Sequence, residues 1–183
     1  MTERSDLANL RAIGEPRIHE WAGATEPIGA GLVEWTRLAV SHDHRLAVRA
    51  ALDTCALVSG DYPHDGARAP RAYITSMVVA IERWLAAPTR ENLEVVRSAL
   101  DFTRELHAWQ TEQDEPSFWI REAVDHASVT VWAGERASYI IPVDFATSAG
   151  RVAACVFHAM RSGGQDEQRA ADAVIDAVLN VTA

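Results

Sequence analysis

The chain predicts an all-α fold, an antiparallel bundle of about six or seven helices, and three observations carry that expectation. Apolar residues recur three and four positions apart through successive helix-length segments, the period of one buried helix face. The joints between segments are short and hold helix-stopping residues, as in Ser59-Gly60, Pro88-Thr89 and Ser162-Gly163-Gly164. Only SYII before Pro142 and SVTVW carry strand propensity. Short joints between amphipathic helices favour antiparallel neighbours.

Residues 1–25 mix Gly14, Pro16 and Gly23 with charges and predict an N-terminal arm with no core role beyond Trp21; residues 26–183 predict a single helical domain. The first helix starts at Pro27 and uses Leu32, Trp35, Leu38 and Ala39, weakened by Gly29 and Gly31. Ser41 is the expected cap of a second helix, with Val48, Ala51, Leu52, Cys55 and Val58 on its inner stripe. A third carries Ile74, Met77, Val78, Ile81 and Leu85 and stops at Pro88. Thr89 caps a fourth, with Glu91 suited to the positive end of the dipole and Leu93, Val96, Leu100 and Leu106 inward, ending near Gln113. DEPS restarts a helix with Ile120, Ala123, Val124, Ala127 and Val131 inward, ending near Gly134. Pro142 interrupts the chain before a sixth helix with Phe145, Ala149, Val152, Ala153, Val156 and Met160 on one side. A seventh carries Val174, Ile175, Val178 and Leu179. No fixed period with a repeated signature runs through these segments.

At 183 residues the chain is long enough to bury a core without disulfide or metal staples. It has no apolar run of membrane-spanning length and no signal-peptide pattern at its start, so a soluble, cytoplasmic protein is expected. Cys55 and Cys155 each sit among small apolar residues and predict buried free thiols. The net charge of −9 and the scattered arginines argue against nucleic-acid binding and are compatible with a basic protein partner.

No motif dictates a chemistry. His42 and His44 flank Asp43, but residues two apart on a helix diverge by about 200° and do not chelate one ion. His64-Asp65 could orient one another, yet PHDG is also good turn chemistry and no nucleophile accompanies it. Glu105 with His107, and Glu122 with His126, lack the Glu-x-x-His spacing of di-iron bundles. No nucleophile elbow, phosphate loop or metal-binding Cys and His pair occurs, so no catalytic residue, metal or cofactor is predicted. Among six tryptophans, Trp84 and Trp109 continue apolar helix faces, whereas Trp119 beside Phe118 is the one expected at a contact surface.

A helix bearing ALDTCA, a turn reading YPHDGARAPRAYI and a helix ending ERWLAAPT resemble all-helical immunity proteins of bacterial polymorphic toxin systems. The likeness spans roughly Ala51 to Thr89, with further support from RVAACVFHAM; the arginine motif, Arg68-Ala69-Pro70-Arg71, is one residue longer than the family's. The resemblance implies a protein that neutralises a cognate toxin, a basic one by charge complementarity, with no catalytic residues of its own. Asp61, His64, Asp65, Arg68, Arg71 and Trp119 are then its partner-binding candidates. The alternative is a small helical enzyme or ligand-binding domain with His107, His126 and His158 in a pocket between helices, or a homo-oligomeric scaffold.

Overall fold

The computed structural model describes residues 4–18, 20–21, 24–61, 70–107, 115–133 and 144–182. Within the helices, the side chains of 70–72 and 101–107 lie outside that description, as does the side chain of Asp61. Eight helices pack together and the described residues form no strand: α1 Leu7–Gly14, α2 Pro27–Val40, α3 His44–Ala56, α4 Pro70–Ala86, α5 Arg90–His107, α6 Glu115–Ala133, α7 Phe145–Ser162 and α8 Glu167–Thr182. The all-α class is as expected. The segment SYIIPV lies outside the described residues.

The arm expected at the N-terminus contains a helix. The Asn9 N–H donates to the Asp6 carboxylate, which caps α1, and a 3-10 turn at Glu15–Arg17 follows it. Leu10 is fully buried, so Trp21 is not the segment's sole core contact. One buried side chain in a short helix makes no repeating stripe, and periodicity is blind to it.

The expected cap of α3 also moves. Asp43, not Ser41, accepts from the Arg45 and Leu46 N–H groups, while the Ser41 hydroxyl donates back to the Leu38 carbonyl inside the end of α2. Thr89 caps α5 as expected, accepting from the Asn92 N–H at 3.3 Å. The Asn92 side chain in turn donates to the Ala87 carbonyl at 2.7 Å, closing the last turn of α4.

The core runs along α7, which packs on α2, α3, α6 and α8. The sequence places its apolar residues on one side, but Val152 through Phe157 are all buried, as expected of a helix enclosed by neighbours. Small residues let its neighbours come close. A Cβ at Gly150 would stand 2.3 Å from the Val33 carbonyl oxygen of α2, and one at Gly31 would stand 2.0 Å from the Leu10 carbonyl oxygen of α1. Gly164, at φ 94°, turns the chain out of α7, with the Gln165 N–H donating to the Met160 carbonyl. Cys55 and Cys155 are buried free thiols, and burial pushes both thiol pKa values upward.

Candidate functional site

Two clefts are described on the surface, at different places along the α2–α6–α7 layer. The first, about 300 Å³, lies between the α1–α2 connection, α2 and the start of α7. Its lining holds three arginines, Arg17, Arg37 and Arg151, and three carboxylates, Glu20, Glu34 and Asp144, around the Trp21 indole. Most of these charges already have partners. Arg37 grips both oxygens of Glu34, at 2.8 and 2.6 Å, and Arg17 stands 3.2 Å from Glu20 and 3.8 Å from Glu34. The Arg37 hydrogen bonds hold the Glu34 carboxyl below its usual pKa despite partial burial. Burial raises the Asp144 pKa, but hydrogen bonds from Thr147 and the Ala146 N–H outweigh it and keep the group ionised, as suits the N-cap of α7.

Arg151 differs from the other two arginines. Its guanidinium lies over the Trp21 ring at 5.1 Å, and its Nε is buried with no hydrogen-bond partner among the described residues. Burial lowers its pKa, partly offset by the Asp144 charge. Behind the indole, the His126 ring meets Trp21 edge-on at 5.1 Å, and its Nδ1 is likewise buried and unpartnered among the described residues. Desolvation, assisted by the Arg151 charge, takes the His126 pKa down to about 3, so the imidazole is neutral.

The second cleft, about 450 Å³, is lined by Glu26, Glu115, Phe157, His158, Arg161, Ser162 and Glu167. His158 stacks on Trp119 at 4.6 Å, Phe118 stands edge-on to Trp119, and Arg121 covers Phe118 at 5.2 Å. Phe118 is 38% exposed, whereas Trp119 is only partly exposed and packs against the core. Of this aromatic pair, the ring that reaches further into solvent is thus Phe118, the neighbour of the tryptophan singled out by sequence.

Of the three histidines of the alternative pocket, His126 and His158 both lie on the α6–α7 interface but meet different tryptophans, and only His158 lines a described cleft. His107 ends α5 with its side chain outside the description. His44 is taken up structurally: Nε2 donates to the Thr130 carbonyl at 2.8 Å and the ring packs on Trp84 and Phe145. Among the described residues no group of His, Cys, Asp and Glu could hold a metal ion, and no helix is long and apolar enough to cross a membrane. His64, Asp65, Arg68 and Trp109 lie outside the described residues, and Asp61 and Arg71 are described in backbone only.

Sequence reasoning missed Trp21 and Arg151 as a pair. A signal was present in Arg151, the lone charge in the run AGRVAACVF, on a helix that the apolar residues surround. No protein-family model, characterised protein or solved structure matches the chain.

Proposed function

We propose that the protein is a binding protein that neutralises a cognate basic protein toxin by covering its active site or an essential surface. The observation that carries the reading is the aromatic edge at the start of α6, where Phe118 is exposed yet held in place by Trp119 and Arg121. A rigid exposed aromatic costs little entropy on binding and is the kind of group that anchors interfaces. Beside it, in the second cleft, Glu167 is paired with Arg161 and Arg11 and Glu26 caps α2, which leaves Glu115, at 3.5 Å from the Trp119 indole N–H, as the carboxylate best placed to meet a lysine or arginine of the partner. The net charge of −9 favours fast encounter with a basic protein, and the resemblance over Ala51–Thr89 points to the same role.

The test is co-expression with toxin domains encoded beside this chain in its source genome. The expected result is suppression of one toxin's lethality and a stoichiometric complex, weakened at least about thirtyfold by Phe118→Ala, the loss of a hot-spot aromatic. A complex indifferent to Phe118→Ala would remove the α6 edge from the interface. No suppression, together with a stoichiometric metal in the purified protein, would overturn the reading and return attention to the histidines.

A further inference from the structure

The first cleft supports a conclusion independent of toxin binding. Its six charges do not cancel evenly in space: Arg17 and Arg37 are committed to Glu20 and Glu34, and Asp144 to the first turn of α7. Among the described residues, Arg151 alone of the lining arginines makes no ion pair, and its Nε donor is buried and unused. The Nε is closed off from solvent, so the part of Arg151 that the cleft can offer a ligand is the Nη edge of its guanidinium, a planar pair of donors that matches a carboxylate or phosphate. The surrounding carboxylates choose between these, because Glu34 and Asp144 repel a dianion more strongly than a single negative charge. The Trp21 indole and Ala24, Ala30 and Val33 supply apolar wall for the remainder of a ligand. The volume of about 300 Å³ is at the lower end of small-molecule sites, about 300 to 1,000 Å³.

We propose that the cleft between the α1–α2 connection, α2 and α7 binds a small monocarboxylate, received by the Arg151 guanidinium beside the Trp21 indole. The carboxylate accepts from the Arg151 fork and its apolar body lies along Trp21, Ala30 and Val33. The pairs Arg37–Glu34 and Arg17–Glu20 hold the walls and leave Arg151 as the recognising charge.

The test follows the arginine Nε–H resonances of the full-length chain by nuclear magnetic resonance during titration with benzoate, with benzamide as the neutral analogue of the same shape. The expected result is a saturable shift of the Arg151 resonance with benzoate and none with benzamide. Arg151→Gln is expected to bind benzoate at least about tenfold more weakly, the loss of a charge-assisted hydrogen bond. A resonance that ignores benzoate, or that moves equally with benzamide, overturns the proposal, and the wild-type titration decides this even if the variant does not fold. Saturable binding of inorganic phosphate in preference to benzoate overturns the assignment to monocarboxylates. The experiment uses the isolated chain, so its outcome is separate from that of the toxin experiment.

Discussion

His126, in edge-on contact with Trp21, makes the stability of the fold depend on pH through its protonation. With a pKa near 3 in the folded chain, against about 6.5 when unfolded, it is neutral in the native state throughout the ordinary range. Its contribution is therefore complete above about pH 6.5 and declines as pH falls towards 3, because only the unfolded chain takes up the proton in that interval. Glu34 and Asp144 have lowered pKa values, so stability they add is present above their unfolded values and is lost at more acid pH. The interval between about pH 6.5 and 4.5 thus isolates the histidine. Urea titrations should show the wild type losing about 2 kcal/mol between pH 7 and about pH 5 relative to His126→Phe. Parallel curves for the two proteins would show that the imidazole is reached by water or finds an acid partner. At this scale the sequence was only partly legible. The isolation of Arg151 in an apolar run could be read, but its contact with Trp21 depends on how the α1–α2 connection lies on α7, which spacing along the chain does not encode.

Between elements, glycine positions decide how closely helices cross. Gly31 reads in sequence as a weak point in α2, since glycine costs about 1 kcal/mol against alanine in a helix interior, and Gly150 in α7 carries the same cost. The packing reverses their meaning, because the Cβ positions are filled by the Leu10 and Val33 carbonyls. A backbone carbonyl inside a packed helix cannot turn aside as a flexible side chain can, so alanine must push two helices apart. Gly31→Ala and Gly150→Ala should therefore each destabilise by about 1 to 3 kcal/mol, the propensity gain notwithstanding. Gly60, with nothing within 4 Å of its Cβ position, should accept alanine with little change or a small gain. Midpoints of urea unfolding at constant m separate these outcomes, and equal effects at all three positions would refute the close-crossing account. Caps were more legible than crossings because a cap is local: Thr89 was found from its neighbours. Ser41 failed as a cap because α3 starts two residues later than expected, where the Asp43 carboxylate accepts from the Arg45 and Leu46 N–H groups at the positive end of the helix.

For the molecule as a whole, the helices differ in how many others they depend on. α7 is buried along its length and touches α2, α3, α6 and α8, so none of these closes its inner face without it. The heptad-like apolar spacing made that bundle readable, while the central position of α7 was not, since a stripe gives the direction of burial and not the number of neighbours. α1 is the opposite case: 8 residues long, it docks on α2 through Leu10 and the Gly31 crossing. Further ties are Leu7 against the core, Gly14 against the Pro27 carbonyl, and ion pairs to α8 from Arg11 to Glu167 and, just ahead of α1, from Arg4 to Asp172 and Asp176. Those pairs are exposed and add little, and a helix this short does not persist in water alone. α1 should consequently open without the bundle. Native-state hydrogen exchange should give α1 amides a lower opening free energy than the amides of Val152 to Phe157, which should exchange only by global unfolding. Leu10→Ala should speed exchange in α1 while lowering global stability by less than the 2 to 5 kcal/mol typical of a core leucine, because the segment detaches before the bundle fails. Phe157→Ala should instead lower the exchange barrier of α7 and its four neighbours together, by about 3 to 5 kcal/mol. If Leu10→Ala acts on α7 as strongly as on α1, the N-terminal helix belongs to the same cooperative unit as the bundle. The cleft beneath Trp21 would then be as rigid as the core rather than opening with α1.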